Sequence, residues 1–149
     1  MSWQTVRPQV KTLLENSGLF QEVSGTPKIK FSGYPAAYVV QSDNEADYST
    51  TTENARVYAF IARIFYTTKG VGVSTALERL EQTVDEILDD IDQDSLKTAS
   101  GGRVIGTSMP SGYTWLNTFA APSLFGEVEG ENMVMAEIKI RVKVIRDIT

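Results

Sequence analysis

Six carboxylates crowd into the ten residues of DEILDDIDQD, positions 85–94. Carboxylates at this density can serve two kinds of chemistry, divalent-cation binding and general acid/base catalysis. Asp90, Asp92 and Asp94 reproduce the opening D-x-D-x-D of a calcium loop, but Ser95 stands where that loop needs its turn glycine and Gly101 where it needs a bidentate glutamate. Acid/base work needs one carboxylate desolvated enough to hold its proton near neutrality. The acids here fall opposite the apolar residues of a predicted helix, in its solvent-facing half. The chain has no histidine and no cysteine, which removes the usual general base, the thiol nucleophile, the thiolate metal site and the disulfide together. GVGVS, residues 70–74, lacks the Lys-Ser/Thr of a phosphate loop, and no G-x-S-x-G elbow is present. An enzyme working with carboxylates alone is the only catalytic reading left, and no cofactor or metal is implied.

The acidity is local. Glu78 to Asp94 holds eight acids and one base, Arg79, and carries −7, while the remainder, with 13 bases and 11 acids, carries +2. At 149 residues, 42% hydrophobic and 22% charged, the sequence predicts a single folded domain spanning 1–149. The first residues have no basic stretch followed by an apolar core, so no signal peptide is visible, and no apolar run is long enough to cross a bilayer. Synthesis in a cytoplasm and no membrane association are expected.

The elements that position these charges follow from periodicity. Trp3, Val6, Val10, Leu13 and Leu14 recur at helical spacing and Gly18 supplies a stop, which predicts a helix over about 3–16 with Pro8 in its first turn, or a start near Arg7. Residues 24–35 read as a loop or short strand with an Ile29/Phe31 alternation, and 36–43 as a strand. After a polar stretch, residues 55–68 read as a central strand: Tyr58, Phe60, Ala62, Ile64 and Tyr66 on one face, Val57, Ala59, Ile61, Arg63 and Phe65 on the other. Both faces are largely apolar, so each needs cover from the same chain or from another subunit. Residues 69–72 break the strand, and Ser74 or Thr75 is expected to cap a helix to about Ile91, on which Val73, Ala76, Leu77, Leu80, Val84, Ile87, Leu88 and Ile91 fall within an arc of about 120°. Residues 93–126 read as one long irregular loop with a weak strand at RVIGTSM and scattered Trp115, Leu116, Phe119, Leu124 and Phe125, of which Trp115, Phe119 and Phe125 are candidate partner contacts. Residues 133–146 alternate: Val134, Ala136, Ile138, Ile140, Val142 and Val144 on one face, Glu137, Lys139, Arg141 and Lys143 on the other. The order predicts an α+β fold, a mostly antiparallel sheet with helices packed on one face.

Glu78, Glu81, Asp85, Asp89 and Asp92 lie three and four residues apart, so they form one stripe whose members repel by a few tenths of a kcal/mol per pair. Solvation of a charged face is the plain explanation. Lys139, Arg141 and Lys143 form a counterpart row. If the long helix packs on the apolar side of the last strand, the stripe and the row face opposite ways, an arrangement that permits head-to-tail association of subunits.

The helix with an early tryptophan, the strand YPAAYVV (34–40), the strand VYAFIARIFY (57–66) and the helix ending LERLEQTVDEILDDIDQD (77–94) together resemble tail terminator and head-to-tail joining proteins of long-tailed bacteriophages. The resemblance covers most of residues 1–96 and the last strand and rests on the pattern and order of elements. It implies a hexameric ring that caps the tail tube and joins the tail to the neck of the head, in a virion assembled in the host cytoplasm. The implied partners are the tail tube protein, a neck or head completion protein and DNA that passes through without specific binding. It implies no catalytic residues. Another neck or tail completion ring, or a small α+β ligand-binding module with Tyr58, Phe60 and Tyr66 or the long loop lining a pocket, are the competing readings.

Overall fold

The computed structural model describes residues 2–28, 30–47, 53–107, 109–128 and 130–147. Ile29, the centre of the polar stretch (48–52), and the side chains of Trp3 and Leu124 lie outside the described residues. The elements follow in the order α1 (Ser2–Asn16), β1 (Glu22–Ser24), β2 (Ala36–Asp47), β3 (Glu53–Thr67), α2 (Gly72–Leu96), β4 (Tyr113–Glu127) and β5 (Met133–Asp147). The strands make one sheet in the order β1-β2-β3-β5-β4. β1 runs parallel to β2 and the other pairings are antiparallel, so the fold is α+β with a mostly antiparallel sheet.

β3 pairs with β5 without interruption from Glu53 opposite Asp147 to Thr67 opposite Met133. Paired residues share a face, so the alternation of β5 dictates the sidedness of both strands. Val134, Ala136, Ile138, Ile140, Val142 and Val144 are fully buried beside Tyr58, Phe60, Ala62 and Ile64. Onto this face α2 lays Ala76, Leu80, Val84, Ile87 and Ile91, while Val6, Val10 and Leu14 of α1 join the same core with Ala37 and Val39 of β2. Both helices therefore cover one face. Leu77 and Leu88 are half-buried at the margins of the apolar arc, and Val73 is exposed.

Several expectations are corrected. α1 begins at Ser2, so Pro8 sits inside the helix; its missing N–H removes only the bond to the Gln4 carbonyl, and both residues lie on the exposed side of the helix. The stop does occur at Gly18, whose φ of 73° is the left-handed conformation of a helix-ending glycine. At α2, Val71 holds the cap position with no side-chain cap bond, so neither Ser74 nor Thr75 caps it, and the helix runs past Ile91 to Leu96. Most of 93–126 is not loop: Tyr113–Glu127 is a 15-residue edge strand, and the turns lie in the preceding segment, where RVIGTSM forms no strand among its described residues.

Finally, the acids of α2 do not all face solvent. Asp94 falls seven residues after Ile87, in the apolar arc, and is 2% exposed. Its carboxylate accepts hydrogen bonds from the backbone N–H of Val104 (2.7 Å) and Ile105 (3.2 Å), which tethers the turn segment to the end of α2 and drives Ile105 into the core. Gln9 of α1 accepts from Gly106 N–H at 2.8 Å. Gly106, at φ 79°, lies so close to Trp115 that a Cβ would stand 2.3 Å from the indole ring. Replacing Asp94 by alanine leaves two backbone donors without their acceptor; the expected loss is about 2–4 kcal/mol of unfolding free energy, measured by urea denaturation.

Candidate assembly surfaces

Among the described residues the sheet's second face carries no helix. At one end Tyr38, Phe65 and Met133 are buried together under Phe31 and Tyr34 from the segment between β1 and β2, and the Phe31 ring lies 5.1 Å from that of Phe65. This cover is pinned by Glu22, which accepts from the Ser32 N–H (2.8 Å) and hydroxyl (3.0 Å) and pairs with Lys28. The Lys28 ammonium and the Ser32 N–H hold the Glu22 carboxyl down at about 2. The chain thus covers the second apolar face of β3 itself at the Phe65 end, and further along Ala59 is buried while Val57 and Ile61 stay half-buried.

Beyond that cover lies a charged row. Arg63 stands between Tyr38 and Glu137; its Nε donates to Glu137 Oε1 at 2.7 Å and its Nη1 to the Tyr38 hydroxyl at 2.8 Å. The Tyr38 and Glu137 bonds raise the Arg63 pKa further above its ordinary value, so the guanidinium is always charged. Glu137 is therefore spent on Arg63, and the predicted basic row continues beyond it. Lys139 pairs across from Ile61 and Ala121, Arg141 from Ala59 and Phe119, and Lys143 from Val57 and Asn117. All three bases are half-buried, as are Val57 and Ile61. The Arg141 guanidinium lies 6.0 Å from the centre of the Phe119 ring, within reach of a cation–π contact.

Glu78, Glu81, Asp85, Asp89 and Asp92 are all exposed along α2. Among the described residues none of them is in an ion pair. The fold brings the acids together on the outer side of the helix and the bases together on the open face of the sheet. Sheet and helix layer separate the two sets, which do not meet within one chain. No group of acids among the described residues is arranged to hold a metal ion.

Trp115, Phe119 and Phe125 share β4 but are not brought together. Trp115 turns toward the helices, packs against the main core, donates from Nε1 to Thr118 Oγ1 at 2.9 Å and carries the Arg103 guanidinium 3.7 Å above its ring. Its contacts within the chain hold it against the core, and it stays half-buried. Phe119 lies on the open face at 44% exposure, and Phe125 returns to the helix side yet stays 41% exposed. Sequence reasoning noted Leu116, 40% exposed at a bulge of the same edge strand, without proposing it as a contact, and did not single out Leu96, 86% exposed at the end of α2. Each was legible only as an apolar residue in a polar neighbourhood.

For the ligand-binding reading, Tyr58 and Phe60 are packed in the core. A cavity of about 300 Å³ does lie between the C-terminal ends of the helices, but its walls include Asn16, Ser17, Asp90, Gln93 and Lys97. No helix among the described residues is long and apolar enough to cross a membrane.

No protein-family model and no curated protein matches the chain. Among solved structures, the chain is similar to one in the virion of a native gene transfer agent (GTA) particle, with a TM-score of 0.50 and 14% identity over 91% of this chain and 83% of that one. At that identity the likeness is one of fold.

The division between core and surface aromatics is measurable. Phe60→Ala is expected to cost about 3–5 kcal/mol in denaturant unfolding, whereas Phe119→Ser changes stability by no more than about 0.5 kcal/mol.

Proposed function

We propose that this chain is a structural protein of a phage-like particle: a ring-forming tail terminator that caps the tail tube, stops its growth and joins the tail to the neck. The observation that carries the reading is the fold likeness, over nearly the whole of both chains, to a component of a gene transfer agent virion. The segregated surfaces agree with it. A subunit with an acidic side and a basic side has what a closed, heterologous ring requires, two different patches that complement one another.

In this role the chain is not an enzyme. It forms a hexameric ring, contacts the tail tube protein on one side and a neck or head completion protein on the other, and lets DNA pass without binding it specifically. Exposed carboxylates repel phosphate, so any acidic surface near the lumen keeps the DNA from sticking. Phe119, Phe125 and Leu116 are the apolar side chains that β4 offers to neighbours. The protein resides in the tail or neck of the virion after assembly in the host cytoplasm.

Electron microscopy of the purified chain is expected to give closed rings with a central hole, and particles made without it are expected to carry tails of uncontrolled length that fail to join heads. A chain that stays monomeric at all concentrations and is absent from purified particles would falsify the reading. Tails of normal length that lack only the junction would instead favour a neighbouring neck ring.

A further inference from the structure

We infer that α2 of one copy docks on the open sheet face of the next, with Glu81, Asp85 and Asp89 set against Lys139, Arg141 and Lys143; this rests on the ring-forming role proposed above and names its interface. The open face is the docking surface, and a second copy of this chain is its occupant.

The first argument is spacing. Residues four apart on a helix are separated by about 6 Å along its axis, and residues two apart on a strand by about 6.8 Å. Glu81, Asp85 and Asp89 therefore span about 12 Å and Lys139, Arg141 and Lys143 about 13.6 Å. A helix laid roughly along β5 brings each acid to one base without distorting either element.

The second argument is what surrounds the charges. The bases stand around buried Ala59, half-buried Val57 and Ile61 and exposed Phe119, an apolar floor that continues beyond the cover Phe31 and Tyr34 provide at the Phe65 end. The docking helix has an apolar residue to match. Leu96, 86% exposed, lies 18 residues after Glu78, which is about five whole turns, so it continues the line of the acidic stripe.

The third argument is cost. Like charges at i,i+3 and i,i+4 and acids in the last turns both oppose the isolated helix, and α2 has no basic residue in its last turn to offset them. Three cations from a neighbour turn that repulsion into attraction. Because the two patches are on opposite faces of the subunit, the contact is heterologous, and repeating it produces a ring if the rotation closes.

The test is a charge swap read by sedimentation velocity and native mass spectrometry of the full chain. Asp85→Lys with Asp89→Lys, and separately Arg141→Glu with Lys143→Glu, are each expected to weaken self-association at least about tenfold, and the four substitutions together to restore it to within about threefold of wild type. Raising salt from about 50 mM to about 500 mM is expected to dissociate the wild-type oligomer, since exposed charges are then screened. Either pair leaving association unchanged, or a folded four-residue variant that fails to reassemble, overturns the interface. Should that variant not fold, a wild-type oligomer indifferent to salt overturns it instead. A wild-type oligomer insensitive to charge reversal sinks this interface alone, whereas a wild-type monomer sinks the ring itself.

Discussion

The register between β3 and β5 is the constraint on which the rest of the molecule depends. Fifteen consecutive pairs leave no freedom in which side chain faces which way. One sidedness buries the valines and isoleucines of β5 under α2, each side chain contributing about 1.5–3 kcal/mol of apolar burial. The same sidedness obliges Lys139, Arg141 and Lys143 to emerge together on the other face. A slip of one residue would exchange the two sets, so the dry core and the basic row are one decision made by a single strand.

α2 illustrates how little a helix needs from its own ends when packing is sufficient. It has no side-chain cap, no acid in the first turn and no base in the last, and its outer stripe repels itself. The seam of Ala76, Leu80, Val84, Ile87 and Ile91 holds it to the sheet, and Asp94 closes its last turns by accepting from Val104 and Ile105. The exposed half is thereby free to carry a charge pattern that its local energetics disfavour.

The elements with unbroken periodicity were legible in the sequence: α2 through its apolar arc, β5 through strict alternation, β3 through its aromatic and β-branched run. β4 was not, for a physical reason. Bulges between Trp115 and Asn117 and between Pro122 and Leu124 each insert one residue, so the inward-facing positions change parity twice within the strand. Trp115 and Phe119 are four apart and would share a face in a regular strand, yet one enters the core and the other does not. Pro122 also argues against a strand unless it lies at an edge, which is where β4 lies. Asp94 was misread because its i+7 relation to Ile87 was outweighed by its acidic neighbours. The charged surfaces themselves were found from spacing alone, while the Arg63–Glu137–Tyr38 link across three strands required the sheet order.

The long ladder has a mechanical side as well. Strands of fifteen residues extend for about 50 Å, and their hydrogen bonds lie across that direction. A load applied along the strands from opposite ends strains the whole row of bonds at once, whereas a load applied across them would open the row one bond at a time. The molecule is therefore stiff along the axis of β5 and weaker at right angles to it, an anisotropy built into the pairing itself.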